Sequence, residues 1–126
     1  MAFDTPFLYE RFADTYEVVV RLIEVTPNLK FVKVAFSDKL EGAFKEEFKA
    51  GQAVYCYIEY QNIGSGAGGP RIIITDLDTG EELLRVGGEI INPGESAFTW
   101  FKLGTMPNRD WRLRFVLEDI PYQPPY

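Results

Sequence analysis

The sequence predicts an all-β protein: an antiparallel β-sandwich of seven or eight strands in one domain spanning residues 1–126. Three observations predict it. Apolar, aromatic and β-branched residues alternate with polar ones at the two-residue period of a half-buried strand. Turn chemistry built on Gly, Pro, Asn and Asp separates these runs at sandwich-like spacing. The chain, 14.4 kDa, 46% hydrophobic and 25% charged, has the size and mix of one globular domain that buries a core without metal or disulfide staples.

The elements follow in order. Residues 1–15 (MAFDTPFLYERFADT) read as an aromatic arm carrying Phe3, Phe7, Leu8, Tyr9 and Phe12. YEVVVRLIEV and LKFVKVAFS flank Thr26-Pro27-Asn28 and predict a hairpin. Asp38 to Lys49 supports two readings. Asp38 with Glu41 fits a capping box, and Leu40, Phe44 and Phe48 share a helical stripe. Gly42 weakens that helix, and Phe44 and Phe48 also share a strand face, so the segment is taken as extended. AVYCYIEYQ, Ala53 to Gln61, is a strand between the turns Ala50-Gly51-Gln52 and Asn62-Ile63-Gly64. RIIITDL from Arg71 is the next, with Asp78-Thr79-Gly80 turning into EELLRV. Asn92-Pro93-Gly94 turns into SAFTWFKL, because Pro presets φ and Gly accepts positive φ. Trp111, Leu113, Phe115 and Leu117 alternate with Arg112, Arg114, Val116 and Glu118 as a final strand. The tail IPYQPPY, with 120–126 rich in Pro and Tyr, is not expected to continue a ladder. The predicted core is Val54, Cys56, Ile58, Ile72, Ile74, Trp100, Trp111, Leu113, Phe115 and Leu117.

From Phe48 onward the order of features resembles the adhesion-related CARDB modules, which are immunoglobulin-like sandwiches. The residues that carry the resemblance are KAGQAVYCYIEYQNIGSGAGG, RIIITDLDTGEELLRV, INPGESAFTWFKL and WRLRFVLED, covering 48–119. The resemblance implies an immunoglobulin-like β-sandwich used for protein or glycan-surface interaction, with no catalytic residues to carry over. The chain departs from that family in its first third, where a predicted hairpin and an aromatic arm stand in place of one strand.

Composition narrows the chemistry. Thirteen Lys and Arg against 19 Asp and Glu leave a net charge of −6. An acidic surface argues against nucleic-acid binding. The absence of His removes Ser-His-Asp and Cys-His nucleophiles and imidazole metal sites. Cys56 has no partner in the chain and reads as a buried thiol. The start lacks the basic and apolar regions of a secretory signal, and no run reaches the length of a membrane span, so a soluble chain of unassigned compartment is expected. Few Asn, Gln, Cys and Met residues suit a hot-environment protein.

Three motifs could carry chemistry. Gly64, Gly66 and Gly69 satisfy G-x-G-x-x-G, but Pro70-Arg71-Ile72 follows as a strand where a phosphate site needs a helix N-terminus, so the stretch reads as a flexible inter-strand loop. Asp78-Thr79-Gly80 matches the triplet of retroviral-type aspartic proteases, although Glu81 and Glu82 oppose a buried dyad and a hairpin turn explains the same letters. Asp76, Asp78 and Glu81 are the candidate divalent-cation ligands, short of a full calcium loop. No cofactor and no catalytic residue is assigned. The leading function is a non-catalytic protein-interaction or structural module, in a surface or viral assembly or as an adaptor. A small-ligand or glycan-binding sandwich is the alternative, and an aspartic-protease-like dimer on Asp78 the enzyme rival. Tyr55 and Tyr57, opposite Cys56 on their strand, together with Phe3, Phe7, Tyr9 and Phe12, are the candidate interaction residues. The expected partner is protein, first of all a second copy of the chain bound through the arm.

Overall fold

Alternation decides which face each side chain takes. A computed structural model describes residues 14–22 and 25–122. Within them lie six strands: β1 (Leu29–Ser37), β2 (Ala53–Asn62), β3 (Gly68–Asp76), β4 (Glu82–Gly87), β5 (Ser96–Thr105) and β6 (Leu113–Pro121). They form two antiparallel three-stranded sheets, ordered β1-β2-β5 and β4-β3-β6.

The central strands β2 and β3 show the period most clearly because neighbours pair with both of their sides. Val54, Cys56, Ile58, Tyr60 and Asn62 of β2 point inward, while Tyr55, Tyr57, Glu59 and Gln61 point outward. Ile72 and Ile74 of β3 face them from the other sheet. With Leu29, Ile91 and Leu103 these residues make the core, each of the larger aliphatics contributing roughly 1.5–3 kcal/mol on burial. Trp111, Leu113, Phe115 and Leu117 pack against it half-buried, as expected of a strand at a sheet edge.

The sheets meet closely on one side only. There β1 runs beside β6, and the Leu29 amide donates to Asp119 Oδ1 at 2.8 Å. On the opposite side β5 and β4 make no comparable approach and are not hydrogen-bonded to each other. The inner residues along that open seam, among them Leu84, Val86, Ala97 and Phe101, are only partly buried.

Several expectations are corrected. Six strands are present among the described residues, against the seven or eight expected, because the described part of YEVVVRLIEV, residues 16–22 and Val25, lies in no strand. Residues 14–22 lie in no helix or strand, with Tyr16 89% and Val20 90% exposed. Alternation marks a segment able to pair; it does not supply the partner. Thr26-Pro27-Asn28 is therefore no hairpin turn but a strap across the end of β2. The Thr26 carbonyl accepts from Ser65 and Gly66 at 2.9 and 3.1 Å, and the Asn28 carbonyl from Ile63 at 2.8 Å.

Asp38 to Lys49 is neither helix nor strand. A tight turn with Glu41 at φ 57° sends Phe44 and Phe48 to different sides of the first sheet. Trp100 leaves the predicted core, since its register opposite Tyr57 puts it on the outer face, and Tyr60 takes up interior volume instead. The tail also extends the ladder further than expected: Pro121 pairs with Gly68, and the Tyr122 amide donates to Ala67 at 3.1 Å. Proline lacks only a donor, which the last position of an edge strand can spare. β3 accordingly opens at Gly68, and Pro70 sits just beyond the β4 ladder, which starts at Arg71–Gly87. Among the described residues no helix is long and apolar enough to cross a membrane.

Candidate interaction surface

The outer face of the β1-β2-β5 sheet is built from positions that alternation turns away from the core. Tyr57 projects from the middle of β2, and the register sets Trp100 of β5 directly opposite and Phe98 opposite Glu59. Such cross-strand neighbours lie within reach of each other's rings. Tyr57 lies 5.2 Å from Trp100 and 5.6 Å from Phe98, centroid to centroid. Phe44 comes down from the β1–β2 connection, 5.2 Å from Tyr57 and 5.8 Å from Trp100. Four rings thus share one patch outside the core, with Phe98 61% and Phe44 46% exposed.

Charge surrounds the patch. Lys33 Nζ stands 4.5 Å over the Phe44 ring, a cation–π geometry. The Tyr57 hydroxyl donates to Glu59 Oε1 at 3.1 Å; burial first, then that carboxylate, pushes the phenol above its ordinary pKa and keeps it neutral. All six lysines of the sequence fall in this half of the molecule: Lys30 and Lys33 on β1, Lys39, Lys45 and Lys49 in the connection, and Lys102 on β5. The other half carries arginines. There Arg71 pairs with Glu118 at 3.2 Å and Arg85 with Glu82 at 2.8 Å.

Tyr55 and Tyr57 both take the outer face predicted for them. Tyr57 is the centre of the ring cluster, and Tyr55 lies beside Lys102. Phe3, Phe7, Tyr9 and Phe12 lie outside the described residues. Phe44, Phe98 and Trp100 are contributions that sequence reasoning missed. Phe98, Trp100 and Lys102 alternate on one face of SAFTWFKL, but which face is inward depends on a register with β2 that no local pattern encodes.

Two of the three candidate cation ligands, Asp76 and Asp78, have their carboxylates otherwise engaged. Arg109 bridges Asp76 Oδ2 at 2.5 Å and Asp78 Oδ2 at 3.1 Å, and Arg112 holds Asp78 Oδ1 at 2.6 Å. Asp76 Oδ1 accepts from the Asp78 and Thr79 amides, shaping the turn that Gly80 completes at φ 75°. Hydrogen bonding to Arg109 holds the Asp76 carboxyl below its usual range. Glu81 contributes its carbonyl to the Asp76 amide. Among the described residues no group of three or more acids or cysteines could hold a metal ion. Two guanidiniums on Asp78 are likewise the wrong setting for a protease dyad, which shares one proton between two carboxylates.

The glycine run is pinned, which corrects the expectation of a flexible loop. Buried Asn62 accepts from Asn28 and Gly64 through Oδ1 and donates to Gly66 and Ile91 through Nδ2. The amides of Ser65, Gly66 and Gly68 all donate to backbone carbonyls, so these three are not free to cradle a phosphate. Gly64 is required by close approach: a Cβ there would sit 2.4 Å from the Thr26 oxygen. Cys56 is fully buried, and burial pushes its thiol up to about 12, so it is protonated and inert. A cleft of about 270 Å³ opens beside Phe36, Phe48 and Trp111.

Over residues 14–95 the chain matches the family model of the archaeal selenocysteine-specific elongation factor, domain III. The match begins ahead of β1 and ends just before β5. It is a different family from the CARDB modules; an all-β architecture is what the two readings have in common. No curated protein and no solved structure matches the chain.

Proposed function

The chain belongs to the family of domain III of the archaeal selenocysteine-specific elongation factor, and from that premise we propose that it is a non-catalytic β-module of an elongation factor, holding a protein partner on its outer aromatic face. The observation that carries the reading is the Tyr57-centred ring cluster, which sits outside a core that is complete without it. Aromatic side chains concentrate binding energy at protein contacts, and a contiguous apolar patch on a soluble domain marks such a contact. A protonated Cys56, an Asp78 held by two arginines and a sequence without His support a module that binds and does not catalyse.

Calorimetric titration tests this with the chain and an archaeal selenocysteine-specific elongation factor from which domain III has been deleted. Binding is expected, and Phe98→Glu should weaken it at least roughly tenfold, about 1.4 kcal/mol, because a charge would enter the centre of the contact. Phe98 is exposed, so an unchanged circular dichroism spectrum shows that the substituted chain still folds. No heat at about 100 μM, or equal affinity for both chains, rejects the reading.

A further inference from the structure

Residues 14–22 have the sequence of a strand and the surroundings of none. In a strand, alternation would put Tyr16, Val18, Val20 and Leu22 on one side and Glu17, Val19 and Arg21 on the other, and all are exposed. The fold has a matching deficit. Among the described residues β5 is the free edge of its sheet, with one side of its backbone unpaired. The seam it borders is the open one, where Ala97, Phe101, Leu84 and Val86 remain partly buried. An unpaired apolar strand and an unpaired edge are each a liability, and each is the other's remedy.

We propose that Glu17–Leu22 of one chain adds as an antiparallel strand to the free edge of β5 in a second copy, and that the exchange is mutual. Register and charge carry the pairing. Setting Glu17 opposite Lys102 brings Val18 to Phe101, Val19 to Trp100, Val20 to Thr99, Arg21 to Phe98 and Leu22 to Ala97. Phe101, Thr99 and Ala97 share the inward face of β5, so Val18, Val20 and Leu22 enter the open seam. Lys102, Trp100 and Phe98 share the outward face. There Glu17 meets an ammonium, Val19 lies on Trp100, and the Arg21 guanidinium lies beside the exposed ring of Phe98, where a cation is favoured. A shift of one residue would turn three apolar side chains outward and place Glu17 and Arg21 over the seam.

The donor is a second copy because, within one chain, residues 14–22 lie in no strand and stay exposed, so they leave their own β5 uncovered. The strap at Thr26–Asn28 is bound to the Ile63–Gly66 loop, Pro27 is buried against it, and residues 14–22 keep their side chains in water. A two-fold exchange satisfies both edges and both strands and leaves nothing to propagate. The inference goes beyond the proposed function and does not depend on it.

Cross-linking decides it. Glu17→Cys and Lys102→Cys chains are prepared separately and mixed under mild oxidation. Directly opposed residues have Cβ atoms about 4.5–5.5 Å apart, close enough for a disulfide with little adjustment. Cys56, buried and protonated, adds no background. The expected product is a mixed disulfide dimer, abundant with this pair and scarce when Arg21→Cys replaces Glu17→Cys. Light scattering on the unsubstituted chain at about 100 μM should give twice the mass of one 14.4 kDa chain. Val19→Pro and Val20→Pro should each be examined, since successive N–H groups alternate sides and one of the two must remove a ladder donor. At least one should return the mass to that of a single chain, with an unchanged circular dichroism spectrum. A monomer, a dimer that resists both prolines, or a Glu17→Cys, Lys102→Cys chain that closes only on itself would each overturn the proposal.

Discussion

Asp76 and Cys56 show what a residue's own surroundings determine. Asp76 ends β3 buried, with its carboxylate divided between the Arg109 guanidinium and two turn amides. Its folded pKa lies below the unfolded value, so its contribution is present at neutral pH and is lost as pH falls through the folded pKa. Asp76→Asn should lower the Tm at pH 7 and flatten the fall in Tm below about pH 4, followed by thermal melts across pH. Parallel Tm–pH curves for the two chains would contradict this. Cys56 should resist a thiol reagent at pH 8 until urea unfolds the chain; prompt reaction in the native state would mean the thiol is not enclosed. The acidic cluster was legible in the sequence as a cluster, and its purpose was not. Arg109 and Arg112 lie more than thirty residues further on and reach Asp76 and Asp78 only because β3 and β6 are neighbours.

At the scale of elements, β2 and β3 were read well because both of their sides are paired and one face is sealed, which are the conditions that produce a clean two-residue period. The β1–β2 connection was not legible. Phe44 and Phe48 are four apart, a spacing that helix and strand patterns both accommodate, and the chain instead uses them as two separate anchors. Phe44 caps Tyr57 and Trp100 from outside, whereas Phe48 packs against the core with Lys45 Nζ over its ring. Phe48→Ala should therefore cost more, about 3 kcal/mol in urea unfolding, against about 1 kcal/mol for Phe44→Ala, whose ring is half in water. The Phe44 change should also shift Trp100 emission to the red. The reverse order of costs would mean that the connection is anchored from the outer face.

At the largest scale the described residues form two small sheets that meet closely at β1 and β6. All-β architecture, the turns at Asp78-Thr79-Gly80 and Asn92-Pro93-Gly94, and the inward sets of β2 and β3 could be read directly; strand order and the outward turn of Trp100 could not, because they depend on pairings distant in sequence. Protection from hydrogen exchange should fall from the middle of each sheet outward, slowest in β2 and β3 and fastest in β4, a six-residue edge strand. Uniform protection across all strands would count against this layering. The segregation of basic residues has a practical consequence. Because every lysine lies on or beside the β1-β2-β5 sheet, lysine-directed chemistry treats the two halves unequally. Coupling the protein to a sensor surface through its lysine amines would press the aromatic face against the support and present the arginine-bearing sheet to solution. A partner that needs that face would then go undetected, while tethering through a cysteine introduced on β4 would leave it accessible.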